Sequence, residues 1–280
     1  MVSPPITSCI PSQGGDGSAD CRQPSTRSGN SHPRSNHQGN TSSCRPVHAV
    51  KAVAKVRSTA KEKRMETTLA QQLKKRNEEG RARVPAESLA VMDEMTVALA
   101  ASGIANSSLG VGAKVPEFTL PNADGTMVSL SSLLAKGPVV IAFYRGGWCP
   151  YCSIELRALQ NKLHLITAAG ATLVAVSPQT PDNSLSTVEK LELAYPVLSD
   201  EGNQVAETFG LVFSLPEALR EVYVKLGIDL PAANGDNTFR LPISATYVLR
   251  TDGTVARRFA DPDYTKRAEP DDVIAALTEL

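Results

Sequence analysis

Residues 137–156, GPVVIAFYRGGWCPYCSIEL, decide how the chain reads. The run from Pro138 to Tyr144 is apolar and rich in β-branched and aromatic residues. It is too short for a free-standing helix and predicts a strand buried on both faces. Gly146 and Gly147 end it, and Trp148-Cys149-Pro150-Tyr151-Cys152 turns the chain into a helix. There Leu156, Leu159, Leu163 and Leu165 or Ile166 recur at near-helical spacing and pack back on the sheet. Two cysteines therefore stand at a strand-to-helix turn.

Pro150 suits the first helical position, because it lacks the amide hydrogen that would go unpaired there, and this puts Cys149 at or beside the N-cap. The free amides and positive end of a helix favour a thiolate, the reactive form of cysteine. Cys152 lies one turn along, close enough to close a small disulfide ring with Cys149, and Arg145 adds a nearby positive charge.

Further segments fall in a recognisable order: KVPEFTLPNADGTMVSLSSLL, VAVSPQTPDNS, YPVLSDEGNQVAETFGLVF, ATYVLRTDGTV and DYTKRAEPDDVIAAL. With FYRGGWCPYCSIEL they resemble the alkyl hydroperoxide reductase/thiol-specific antioxidant (AhpC/TSA) family, in its peroxiredoxin-like branch with a WCPYC motif, from about Val111 to the C-terminus. The resemblance implies a thioredoxin-like α/β fold, a central mixed sheet flanked by helices. It also implies a thiol peroxidase acting on hydroperoxides, without a cofactor, returned to the dithiol by a thioredoxin-like or other thiol reductant. Carried over position by position, Cys152 takes the place of the peroxide-attacking cysteine, Cys149 replaces the family's hydroxyl residue and Arg145 its proline. The family's later arginine falls at Ser244, with Arg240 near enough to supply a guanidinium. Trp148, Pro150 and Tyr151 complete the motif as supporting residues. The family pattern gives peroxide to Cys152 and leaves Cys149 to resolve the sulfenic acid, whereas helix-end electrostatics favours Cys149 as nucleophile. The expectation is Cys152 first.

Outside this stretch the chain divides into three parts. Residues 1–64 hold ten Lys and Arg against Asp16, Asp20 and Glu62, among Ser, Pro, Gly, Asn and Thr. Such a composition cannot build a core and reads as a disordered, basic, low-complexity tail, in which Cys9, Cys21 and Cys44 are incidental thiols. With no early basic cluster followed by an apolar run, no secretory signal is read. The location expected is cytoplasmic, with an organellar address as the alternative should the tail be a transit peptide. Residues 65–110 read as a helical extension. Leu69 and Leu73 head one helix, and Leu89, Met92, Met95 or Thr96, and Leu99 mark a second after Pro85. That stripe packs on the following domain or on a second subunit of a homodimer. Residues 111–280 form the folded domain. Within it, residues 211–240 read as an insert whose helix after Pro216 either packs or covers the cysteines, and Ile243 to Arg250 and Thr254 to Phe259, joined at Thr251-Asp252-Gly253, form a hairpin.

Balanced charge, 29 basic against 29 acidic residues in 280, argues against nucleic acid or a membrane surface as partner. Past Met65 only Cys149, Cys152 and His164 could bind zinc, fewer than the four ligands a structural site needs, and Ser153 stands where covalent haem attachment requires His. Three functions remain in play: a thiol peroxidase, which the resemblance favours; a general thiol-disulfide oxidoreductase of thioredoxin type; and a redox-inert binding module on the same fold.

Overall fold

In the computed structural model, which describes residues 67–280, the run Val139–Phe143 is the middle strand of a five-stranded sheet and is buried throughout. The expectations for residues 1–64, including Cys9, Cys21 and Cys44, lie outside the described residues. In chain order, helices α1 (Leu69–Arg81), α2 (Ala86–Ala101) and the short α3 (Ile104–Ser107) come first. The ribbon β1 (Thr119–Pro121) and β2 (Met127–Ser129) follows, then α4 (Leu130–Leu134), β3 (Val139–Phe143), α5 (Pro150–Ala168), β4 (Thr172–Ser177), α6 (Pro181–Leu191) and β5 (Val197–Ser199). Next come α7 (Gln204–Thr208), β6 (Val212–Ser214), α8 (Glu217–Lys225), α9 (Leu230–Asn234) and β7 (Arg240–Pro242), and last β8 (Ala245–Leu249), β9 (Val255–Ala260) and α10 (Pro270–Thr278).

The sheet order is β5-β4-β3-β8-β9, with β3, β4 and β5 parallel and β8 and β9 antiparallel. This is the thioredoxin-like mixed sheet. Strands β3 and β4 are apolar on both faces because each face carries helices. One face packs α5, α10 and α1 through Val140, Leu156, Leu159, Val273, Leu69 and Leu73. The other packs the β1–β2 ribbon, α4 and α7 through Ile141, Phe143, Leu130, Leu133 and Phe209. The short helix α3 follows α2, its backbone turning on Gly103 at φ 72°, a conformation open to glycine at little cost.

The helical extension docks through a cap as well as through its apolar side chains. Thr68 and Gln71 form a reciprocal capping box, and the Glu269 carboxylate accepts from the amides of Leu69 and Ala70 at 3.0 and 2.7 Å. Leu69 and Leu73 are buried beneath it, each adding roughly 1.5–3 kcal/mol of hydrophobic stabilisation. The stripe on α2 meets the insert, where Val91, Met92 and Met95 pack against the cluster of Leu215, Leu219, Val222 and Tyr223. The helix expected after Pro216 is α8.

Candidate active site

Strand β3 delivers Arg145 and the Gly146-Gly147 pair directly to the start of α5. Gly146 sits at φ 151°, and a Cβ there would lie 2.3 Å from Trp148 Nε1; one on Gly147 would lie 2.3 Å from Thr187 Oγ1. The turn must therefore be glycine at both positions. The Gly147 amide donates to Gln179 Oε1 at 2.7 Å, which ties it to the segment after β4. Cys149 is the N-cap, Pro150 opens the helix, and Cys152 stands one turn in.

Both cysteines are free thiols with no exposed surface. Arg145, itself 7% exposed, donates from Nη2 to Cys149 Sγ at 3.1 Å and from Nη1 to the Tyr223 hydroxyl, also at 3.1 Å. Its guanidinium lies 5.4 Å from the Trp148 ring centroid and 4.7 Å from that of Tyr264, so aromatic faces hold it on both sides. Arg267 donates from Nη2 to Cys152 Sγ at 3.4 Å and from Nε to the Glu155 carboxylate, a buried ion pair.

The two sulfurs are driven apart electrostatically. Burial alone would raise the Cys149 pKa, but a hydrogen bond from the Cys152 thiol and the charges of Arg145 and Arg267 outweigh it and hold Cys149 well below the usual thiol range. Burial, with the hydrogen bond to Cys149 and that residue's negative charge, pushes Cys152 well above it. In the hydrogen bond between them the Cys152 thiol donates and the Cys149 sulfur accepts. Burial also lifts Glu155 to about 7 despite the Arg267 charge beside it.

Arg145, Trp148, Cys149, Pro150, Tyr151 and Cys152 are together, and the Tyr151 hydroxyl donates to Asn77 Oδ1 on α1. Arg240 goes elsewhere: its Nη2 bonds Glu207 Oε1 at 2.6 Å. Ser244 is buried, with its hydroxyl unpaired, in the wall of a small cavity that Arg145 also lines. The second guanidinium at the cysteines is Arg267, which sequence reasoning missed although it lies inside the quoted segment DYTKRAEPDDVIAAL; Tyr223, Tyr264 and Glu155 were missed as well. Glu155 had one signal, a carboxylate one turn beyond Cys152 on a helix face otherwise apolar.

A chamber of about 240 Å³ opens beside Cys149, with Arg76 and Arg81 of α1, Met92 of α2 and Tyr223 of α8 among its walls. The insert thus both packs and covers the cysteines. Among the described residues no helix is long and apolar enough to cross a membrane.

Comparison with known proteins agrees with this architecture. Peroxiredoxin Q, chloroplastic, of Triticum aestivum is 32% identical over 144 residues, covering 51% of this chain and 66% of that protein. The protein of the same name from Suaeda salsa is 36% identical over 115 residues, 40% of this chain and 53% of the relative. The chain spans about half to two thirds of the length of these curated relatives. A peroxiredoxin 6 of Arenicola marina shares the fold at a TM-score of 0.50 and 15% identity, over 61% of this chain and 72% of that one. The cytoplasmic location expected from the sequence is corrected by these relatives, whose names place them in chloroplasts and point to an organelle. Transit segments are recognised by loose composition rather than by a fixed pattern, so the motifs of the folded domain carry no information on this choice. The family signature of AhpC/TSA matches residues 111–258, more than half of the 280, and with β3, the CxxC helix and β8 inside that span, the chain belongs to the AhpC/TSA family.

Proposed function

We propose that the chain is a thiol-dependent oxidoreductase whose redox couple is Cys149 and Cys152, with Cys149 as attacking thiolate and a hydroperoxide as its oxidant. The observation that carries this reading is the fork of Arg145, held between two aromatic rings with one nitrogen on Cys149 Sγ. This division of labour is that of a thioredoxin-type thiol-disulfide oxidoreductase, the second reading of the sequence, and it reverses the order in which Cys152 attacks first. Family membership and the small chamber favour a peroxide over a protein disulfide, since a fully covered sulfur is out of reach of a folded partner until side chains swing aside.

The steps follow from the charges. The Cys149 thiolate attacks one peroxide oxygen; an S–O bond forms, the O–O bond breaks, and the leaving alkoxide takes a proton to depart as an alcohol, or as water from hydrogen peroxide. Arg145 is placed to steady the negative charge that passes from sulfur to oxygen. Cys152 then gives up its proton and attacks the Cys149 sulfenic sulfur, closing the disulfide and releasing water. Arg267 favours the Cys152 thiolate at that moment, and Glu155 beyond it can accept a proton near neutral pH. A thiol reductant of thioredoxin type supplies two electrons to restore the dithiol once the side chains over the disulfide swing aside.

Trp148 is the chain's one tryptophan and stands beside Cys149, so its fluorescence reports the cycle in stopped flow. The expected result is a fast phase with hydrogen peroxide or an organic hydroperoxide that survives in Cys152→Ser, with a dimedone adduct on Cys149, and vanishes in Cys149→Ser. A sulfenate on Cys152 instead would restore the order expected from the family pattern. Reduction of insulin disulfides without peroxide turnover would make disulfides the oxidant.

A further inference from the structure

We infer that the chamber beside Cys149 selects organic hydroperoxides that carry a carboxylate, and that Arg76 of α1 is the residue that reads the acid group. This rests on the proposed role of Cys149 and extends it to a substrate class. Helices α1 and α2 lie outside residues 111–258, so the roof of the chamber is built by this chain's own extension and not by the domain it shares with its family.

Three guanidinium groups line the chamber, and two are already engaged. Arg81 holds Asp93 through two bonds of 2.7 Å, and Arg145 holds Cys149 and Tyr223. Arg76 has no anionic partner among the described residues, although it is partly buried. Its guanidinium lies beside Gly80, one turn along α1. A Cβ at that glycine would lie 3.8 Å from Arg76 Nη1 and 3.8 Å from the Tyr151 hydroxyl, so the guanidinium flanks the helix that carries the cysteines. A partly desolvated cation without a counter-ion is costly unless a ligand supplies one, and a planar fork matches a carboxylate.

The remaining walls define the body between acid and peroxide. Val84, Leu89, Met92, Leu226 and Ile228 are apolar, and methionine adapts to irregular chains. The volume of about 240 Å³ falls below the roughly 300–1,000 Å³ of drug-sized sites, which suits a short acyl chain. A carboxylate at Arg76 with an aliphatic stem directs a hydroperoxide inward, toward Cys149.

The test uses the reduced full chain and follows Trp148 fluorescence with a medium-chain hydroperoxy fatty acid, its methyl ester and hydrogen peroxide. The acid should react about tenfold faster than the ester, the scale of one charge-assisted contact, and Arg76→Gln should bring that ratio to near unity. Rates with ester and hydrogen peroxide should not change in the variant. Arg76→Lys, which keeps the charge and loses the fork, should retain part of the preference. Equal rates for acid and ester in the unaltered chain, or an undiminished preference in Arg76→Gln, would overturn the inference while leaving the peroxidase reading standing. Failure of all three oxidants to react at Cys149 would sink that reading and the inference with it. Octanoate should slow the hydrogen peroxide reaction by occupying the chamber where octanol does not, and equal effects of the two would count against Arg76.

Discussion

Arg145 occupies a place that would strand a cation in the core if it had no anion, and the Cys149 sulfur supplies that anion. Its guanidinium is held charged, well above its ordinary value, against the burial that works to neutralise it, chiefly by the Cys149 charge. Removing the fork therefore acts on the sulfur first. In Arg145→Gln the thiolate loses its closest cation, so its pKa rises and attack at neutral pH should slow by about 10²-fold, comparable to deleting one charge-stabilising donor from a site. The loss should shrink as pH is raised, because hydroxide then generates the thiolate the arginine no longer supports. A pH-rate profile displaced upward checks this, and an unshifted profile with a uniformly lower rate would mean that Arg145 acts on the peroxide alone.

At the scale of an element, the strand-to-helix turn before α5 does what a longer loop could not. It carries the chain from Phe143 at the end of β3 to Pro150 at the start of α5 through Tyr144 to Cys149, and its two glycines allow that path under Trp148 and Thr187. Gly146→Ala combines a Cβ 2.3 Å from the indole with a positive φ of 151°, so either the ring or the turn must move. We expect a stability loss of roughly 1–3 kcal/mol, read as a lowered urea midpoint at unchanged m. The displaced Trp148 also loosens the ring beneath Arg145, and peroxide reactivity should fall further than the unfolded fraction explains. Substituting a glycine at an open turn such as Gly125, where no atom lies within 4 Å, is the control that isolates crowding from the common cost of a positive φ.

For the whole molecule, the buried Glu155–Arg267 pair joins α5 to the segment before α10 and links stability to pH. Glu155 titrates at about 7 in the folded chain against 4.5 ordinarily, so the folded state binds this proton more tightly than the unfolded one. Its contribution to stability is accordingly full below about 4.5 and is lost as pH rises through about 7. Urea midpoints measured across that window, in the reduced chain and in Glu155→Gln, should differ in slope, with the falling component absent from the variant. Parallel slopes would show that Glu155 does not titrate in this window.

The residues around the cysteines were legible from the sequence to the extent that their signals are local. An apolar β-branched run, two glycines, a proline at the first helical position and a leucine stripe each act over a few bonds, and together they specify β3, the turn, α5 and the position of both cysteines at the turn. The capping role of Cys149 was likewise readable, because a helix end is defined by its nearest neighbours. Arg267 was not, since it reaches Cys152 across 115 positions and its neighbours Lys266 and Glu269 look like an ordinary charged loop. Arg240 looked the better candidate by chain position, yet Glu207 claims it, and no spacing encodes which of two arginines finds an acid first. Tyr223 bonds Arg145 across 78 positions through the packing of the insert, and Arg76 lines the chamber through the docking of α1, which Glu269 caps and Leu69 and Leu73 anchor. Periodicity and capping specify elements through short-range sterics and hydrogen bonds. Which sulfur becomes the thiolate is set by charges that meet only when those elements pack, and that was decided by the tertiary structure.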